Sequence, residues 1–502
     1  MSSLGIDVGT TGCKVIGFDE KGHVIAQAYR EYPLYQPQEG WMELDAEEVF
    51  RSVEECLLDI SGDLQSDPPV SIGISAQGEA VVPVDSSGKP LSRSMVTFDK
   101  RGEEFVPLWK EKVGEAQFFQ ITGMPLSGIG TVNKILWWKK YLPEVFEKAR
   151  FFLCFEDFIM FRMGVGPAMN YSLAGRTMMF DVKKAAWSKD ILDLAGIDPK
   201  KLADTVPSGK EIGLVSPSFQ HKMGWREKVM IAGGAHDQPS GALGSGVIRS
   251  HLAMDATGTV ECIAPVMPEL LLTPLMRENN LCCYHHSVEN LYITLVYTFS
   301  GGAVLRWYRD TFAAREKEQA QLQGKDVYDF ILKELPAGPT NLLVLPHFTT
   351  TGTPYFDTKS CGMIVGLKVE TTAKEIIKAL LEGISFEMKF NLELLGNAGV
   401  QLEALRAIGG GAKNPTWLQI KADVYDLPVE TLNISEAACL GAALLGRKAR
   451  EKITDFSALV NSIVRVKKVY EPNPANVLQY QDKFGIFKRL YPALKQVIRI
   501  EQ

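Results

Sequence analysis

The chain reads as an α/β protein in which one domain plan is used twice. Three observations carry that reading. At 502 residues the chain is too long for one ordinary core, which predicts two large domains. A small turn rich in Gly and Thr occurs near the start, as Gly9-Thr10-Thr11-Gly12. A similar turn, Ala256-Thr257-Gly258-Thr259, returns halfway down the chain. Each is flanked by apolar residues that alternate with polar ones, the period of a strand. The boundary is placed at 247–252, giving domains 1–247 and 248–502.

The first half opens with strand, tight turn and strand. Ile6 and Val8 alternate with Asp7, and Val15, Ile16 and Phe18 resume the pattern after the glycines. Glycines let such a turn bring its N–H groups close to a ligand. Thr10 and Thr11 add hydroxyl donors, and Asp7 beside the turn suits a hydrated divalent cation. A third strand, Val24 to Tyr29, follows the turn at Asp19-Glu20-Lys21-Gly22. Asp45 has the character of an N-cap for a helix over 46–60, with Val49, Phe50, Val53, Cys56 and Leu57 on one face. Val70 to Ser75 is a strand leading into Ala76-Gln77-Gly78-Glu79, and another runs from Ala80 to Val84. Residues 100–230 read as an insertion-rich helical region, with loops at Ser208-Gly209-Lys210 and Ile212-Gly213. The strand Val229 to Ala232 then runs into Gly233-Gly234-Ala235-His236-Asp237-Gln238, and a helix begins near Pro239. An Asp at the C-terminal end of a strand, just before a helix, is well placed for chemistry in an α/β sheet.

The second half restarts with strands at Leu252 to Asp255, Val260 to Pro265 and Leu291 to Val296. Gly301-Gly302 opens a helix. Leu342 to Pro346 is a buried strand, and Lys374 to Leu395 carries apolar residues at helical spacing. A strand over 405–408 ends at Gly409-Gly410-Gly411-Ala412-Lys413-Asn414, before a helix over 415–425 with Pro in its first turn. Glu436 to Leu444 is an Ala-rich helix suited to close packing. Asn473 starts a final helix.

Composition excludes several classes. Hydrophobic residues make up 46% and charged residues 23%, as in soluble globular proteins. A net charge of -6 argues against a broad nucleic-acid or anionic-membrane surface. There is no apolar run long enough to span a membrane and no signal-peptide pattern. The eight cysteines form no CxxC pair or His/Cys cluster, which argues against structural zinc and a disulfide framework. A reduced cytoplasmic compartment is the simplest expectation.

Four segments in order resemble the FGGY family of carbohydrate kinases, within the actin-like ATPase superfamily. Gly5-Ile6-Asp7-Val8-Gly9-Thr10-Thr11 is similar to its first phosphate motif, and Gly233 to Gln238 to its catalytic-Asp segment. Gly366-Leu367 with Glu375-Ile376 and Ala379 to Gly383 resembles its C-terminal signature. Gly409 to Trp417 resembles its adenosine motif. The resemblance implies two RNase H-like domains flanking a central nucleotide and sugar cleft, and ATP-dependent transfer to a hydroxyl of a small sugar or polyol, such as a ketose of the xylulose or ribulose type. Asp237 is the expected general base, since a hydroxyl needs its proton accepted. Mg²⁺ is expected on Asp7 and Asp237. Thr10, Thr11, Gly258 and Thr259 are the expected phosphate donors, with a backbone N–H from Gly302. Gly410, Gly411 and Asn414 are expected on the adenine side, although the two glycines also read as turn glycines. Gln77, Glu79, Asp99 and Gln238 are expected around the sugar, with Trp41 and Glu43 near it. Asp99 and Arg101 read equally as a structural ion pair, and His236 reads as packed against its strand. A homodimer fits the family.

The resemblance thins at the sugar loops. Glu79 falls where glycerol kinases keep a polyol-binding Glu, but Gly78 stands where they keep Arg. Thr97 stands where many members keep Trp. Xylulokinases show Gln-Met-His-Gly where this chain has Gln77-Gly78-Glu79-Ala80. A second class of function, an actin-like nucleotide switch for partner binding or assembly, shares the hairpins. It lacks a strand-end Asp-Gln facing a sugar cleft.

Overall fold

The computed structural model describes residues 1–498. Its two main sheets are built on the same plan. In the first, strand Ser2–Val8 pairs antiparallel with Gly12–Phe18 and parallel with Pro69–Ala76. In the second, Leu252–Thr257 pairs antiparallel with Glu261–Met267 and parallel with Ala404–Gly409. Val24–Glu31 and Met230–Ala232 extend the first sheet, and Val429–Leu432 and Val466–Tyr470 extend the second. Each antiparallel pair is a hairpin tipped by one of the Gly/Thr turns, so the repeat read in the sequence is a repeat of architecture.

The helices follow the apolar spacing. Asp45 caps the helix Ala46–Ser61 by accepting from the N–H of Glu47 at 2.9 Å. The long helix Ala373–Asn397 starts with a capping box between Thr372 and Glu375. The Ala-rich helix runs over Ala437–Glu451, further than expected, and lies on strands Ser2–Val8 and Pro69–Ala76 of the other half. It also packs on the helix Asp237–Gly244 at backbone distance. A Cβ on Gly441 would fall 2.0 Å from the carbonyl oxygen of Ser240.

Three stretches differ from expectation. The residues read as a loop at Ile212-Gly213 belong to a strand, Glu211–Leu214, which forms the edge of the first sheet against Met230–Ala232. A register shift lets Gly213 sit in that edge. The helical region read over residues 100–230 is divided between Trp137 and Phe158. Pro143 opens a separate short helix, and Phe151–Leu153 is a strand paired with Val82–Val84. The strand expected over Leu291 to Val296 is broken into Tyr292–Ile293 and Val296–Thr298. The buried strand expected over Leu342 to Pro346 forms at Leu343–Leu345 and pairs with Met363–Val365, outside both main sheets. All eight cysteines are free thiols. Among the described residues no helix is long and apolar enough to cross a membrane.

Candidate active site between the two hairpins

Sheet register assembles the first side of the site. Asp7 lies opposite Ser75 in the parallel pair, and the Ser75 hydroxyl donates to Asp7 Oδ1 at 2.7 Å. Ala235 and His236 pair with Ser75 and Ala76, which carries Asp237 to the end of the same strand. Burial raises the Asp7 carboxyl above its usual range. Asp237 is pushed up to about 7, first by burial and then by the nearby carboxylates of Asp7 and Glu79. Two carboxylates that repel each other in one cleft suit a hydrated divalent cation, so the residues present fit Mg²⁺.

The tip of the first hairpin is braced by Gln77. Its Nε2 donates to the Gly9 carbonyl at 3.0 Å, and its Oε1 accepts from the Thr10 hydroxyl at 3.1 Å. Gln77 is expected among the sugar contacts, and in the structure both ends of its amide hold the first Gly/Thr turn. Thr11 stays exposed at the tip.

The second hairpin faces solvent at Gly258 and Thr259. The N–H of Gly302 donates to the Gly258 carbonyl at 2.9 Å, and that of Ala303 to Thr259 at 3.0 Å. The donor expected from Gly302 to a phosphate is therefore committed to the hairpin, and the start of helix Gly302–Phe312 is stitched to the turn. Beneath it lies a buried cluster. Lys421 Nζ is 2.6 Å from Asp255, 3.0 Å from Glu261 and 2.6 Å from the Thr257 hydroxyl. Gly409 has φ +80°, and a Cβ on Gly411 would meet the Thr257 side chain at 2.5 Å. The glycine run is thus shaped to lie against the hairpin. Asn414 Oδ1 accepts from the N–H of Trp417 at 2.8 Å and caps the next helix, while Gly410 is exposed.

The sugar-side loops hold a buried ion pair that sequence reading missed. Arg176 Nε donates to Glu79 Oε1 at 2.5 Å, and the Thr97 hydroxyl donates to Oε2 at 2.9 Å. Lys134 Nζ and the Thr131 hydroxyl both donate to the Glu79 carbonyl, at 2.9 and 3.1 Å. These contacts hold Glu79 at φ 60°, a backbone conformation unusual for a side-chain-bearing residue. Gly78 is where it is because the space is taken. A Cβ there would lie 2.9 Å from His236 Nε2 and 3.4 Å from Arg176 Cγ. The one available signal was the absence of Arg at residue 78, which left a guanidinium to come from elsewhere in the chain.

Asp99 falls on the ion-pair side of the two readings left open. Its carboxylate accepts from Arg101 and from the Met42 N–H at 2.8 Å, and its side chain is fully buried. Arg101 also pairs with Glu43 at 2.8 Å and lies over the Trp41 ring at 4.0 Å. In this structure the Asp99 carboxylate is taken up by that cluster. At the floor, Asp237 Oδ1 and Gln238 Oε1 are buried acceptors with no hydrogen-bond partner. Across the rim, Phe98 of the first half meets Phe299 of the second edge to face at 6.2 Å.

Two hairpin-tipped domains around a cleft with a strand-end carboxylate define a kinase of the actin-like ATPase fold. The N-terminal domain model of the FGGY family of carbohydrate kinases matches residues 2–244, and its C-terminal domain model matches 285–450. The chain belongs to that family, and it is a sugar or polyol kinase rather than an actin-like switch. A xylulose kinase of Bacillus subtilis (strain 168) is 28% identical over 98% of this chain and 97% of its own. A gluconokinase of Bacillus licheniformis is also 28% identical, over 98% of this chain and 96% of its own. The crystal structure of ligand-bound xylulose kinase from Lactobacillus acidophilus superposes with a TM-score of 0.89 at 25% identity, covering 100% of both chains.

Proposed function

We propose that this kinase moves the γ-phosphoryl group of ATP to a hydroxyl of a small uncharged ketose or polyol, with Asp237 as general base. The observation that carries this reading is the strand-end carboxylate of Asp237, 35% exposed, next to Gln238 Oε1, a buried acceptor with no hydrogen-bond partner. Unmet acceptors in a polar cleft call for hydroxyl donors. Arg176 already has its charge met by Glu79, so the pocket favours an uncharged acceptor over an aldonate. In the step, the acceptor oxygen bonds to the γ-phosphorus, the bond from that phosphorus to the bridging oxygen of ADP breaks, and the acceptor proton passes to Asp237.

Thr10 and Thr11 approach the phosphates from one side, and Gly258 and Thr259 from the other. Gly410, Gly411 and Asn414 lie toward the adenine. Mg²⁺ would be held on the Asp7 and Asp237 side, where it would neutralise charge developing on the transferred group. The family resemblance also supports a cytoplasmic homodimer, which light scattering tests for the oligomer.

The test is a coupled ADP-release screen over ketopentoses, tetruloses, deoxy-ketoses, polyols and gluconate, with Asp237→Asn as control. Acceptor-stimulated release that disappears in Asp237→Asn is expected. Release with no acceptor dependence, or undiminished in the variant, overturns the reading. Gluconate as the preferred acceptor overturns its uncharged-substrate part.

A further inference from the structure

His236 and Tyr284 are buried groups for which the phosphoryl transfer just described has no use. They come from different halves of the chain, and they meet behind Asp237. His236 Nδ1 lies 3.0 Å from the Tyr284 hydroxyl, and Nε2 lies 3.0 Å from Asp237 Oδ1. The imidazole is nearly sealed, and Tyr284 is wholly buried.

The ring has little freedom. The His236 N–H donates to the Ser172 hydroxyl at 2.9 Å, and Gly78 closes over Nε2. Tyr284 is held in turn. The preceding residue, Cys283, donates its N–H to the Gly123 carbonyl at 2.7 Å, and a Cβ on Gly175 would stand 3.1 Å from the Tyr284 Cβ.

The two oxygens of Asp237 are not equivalent. Oδ1 is buried with no aligned hydrogen bond, yet the side chain as a whole is 35% exposed. The exposure therefore belongs to the rest of the side chain, Oδ2 included. A carboxylate is free to spin about its last torsion unless one oxygen is tethered.

We propose that Tyr284 and His236 form a relay that orients Asp237, with the Tyr284 hydroxyl donating to Nδ1, the ring proton held on Nε2 toward Oδ1, and Oδ2 left to receive the acceptor's proton. The opposite tautomer would set a lone pair against a carboxylate oxygen. The Nε2–Oδ1 contact has hydrogen-bond length without hydrogen-bond alignment, and catalytic contacts commonly align only when substrate is in place. His236 and Tyr284 are positioning residues. Neither changes its protonation, so the proton balance of the transfer is unaltered. The proposal rests on Asp237 being the base.

Two measurements test it. With MgATP and the best acceptor from the screen, His236→Leu should lower kcat by about 10- to 100-fold, the usual range for removing a partner that orients an active group. KM for ATP and for the acceptor should stay within about twofold, since uniform binding is untouched. His236→Gln, whose amide nitrogen can stand in for Nε2–H, should recover most of the loss, and Tyr284→Phe should fall between. A Gln variant as poor as Leu, or a loss confined to KM, overturns the relay. The second measurement needs no acceptor. In protein labelled with ¹⁵N-histidine, the His236 ring should show a protonated Nε2 and an unprotonated Nδ1. A protonated Nδ1 overturns the proposal, even if His236→Leu fails to fold. If the wild-type enzyme phosphorylates no acceptor, the kinase assignment of Asp237 fails, while the tautomer still decides the relay.

Discussion

Gly5 and Cys439 meet backbone to backbone. A Cβ built on Gly5 would fall 1.8 Å from the Cys439 carbonyl oxygen. The first strand of one half therefore rests directly on the Ala-rich helix of the other, and Gly73 repeats the contact against Ala442 at 1.8 Å. This face of the strand has no room for a side chain, because the helix takes the layer that side chains would fill.

Gly5→Ala should accordingly destabilise the protein by about 3 kcal/mol, at the upper end of overpacking costs, because backbone and not a flexible side chain must move. Urea unfolding measures it. Gly62→Ala is the control. Gly62 has nothing within 4 Å of a built Cβ, and its substitution should stay within about 0.5 kcal/mol. Equal effects of the two substitutions would show that the helix can shift freely.

Arg176 and Glu79 give a second test. Arg176→Met leaves the Glu79 carboxylate buried and unpaired, at a cost of about 3–5 kcal/mol. Glu79→Gln combined with Arg176→Met removes both charges and should recover at least half of that loss. A double variant no better than the Arg176 single one would mean that packing, not charge, governs this contact. The same variants should lose acceptor-stimulated turnover, read in the coupled assay.

Much of the candidate cleft's layout was legible in the chain because its parts are local. Asp7, Thr10 and Thr11 share one hairpin, and Asp237 follows its own strand. The Gly/Thr turn at 256–259 repeats the first turn because the same hairpin is built twice. What could not be read were partnerships between distant segments. Arg176 reaches Glu79 across 97 positions. His236 meets Tyr284 across 48. Gln77, expected beside the sugar, reaches back 68 residues to the first Gly/Thr turn. Asp99 showed the limit differently. Its neighbour Arg101 was in plain view, but the closing of Trp41 and Glu43 over the pair was not.

Lys421 underlies the second hairpin through Asp255, Glu261 and Thr257. Lys421→Met would strand two buried carboxylates and should cost about 3–5 kcal/mol. Because Thr257 leads into Gly258 and Thr259, the variant should also weaken binding of a fluorescent ATP analogue, by roughly tenfold, the equivalent of about 1.4 kcal/mol. Unchanged nucleotide affinity in folded protein would separate this cluster from the phosphate contacts.

Glu156 predicts how stability varies with pH. It lies on the helix Phe155–Arg162 and accepts from the Gly234 N–H at 2.7 Å, just ahead of Asp237, and from Asn170. Burial pushes its carboxyl up to about 8 from an ordinary 4.5, against the pull of those two hydrogen bonds. The adjacent Asp157 is raised in the same direction by burial, then by Glu156, and neither of its carboxylate oxygens has a hydrogen-bond partner. Between about pH 4.5 and 8 the folded protein therefore keeps a proton that the unfolded chain releases. Stability tied to Glu156 is present in full below the unfolded value and is lost as pH rises toward 8. Denaturant unfolding at pH 5 and pH 8 should show that fall. In Glu156→Gln the fall should be smaller by at least about 1 kcal/mol, since one pKa unit is worth about 1.4 kcal/mol. Asp157→Asn should flatten the slope in the same sense. An unchanged slope in both variants would mean that the two carboxyls titrate in the fold as they do in water, with the Gly234 N–H donating to a charged Glu156 across the whole range.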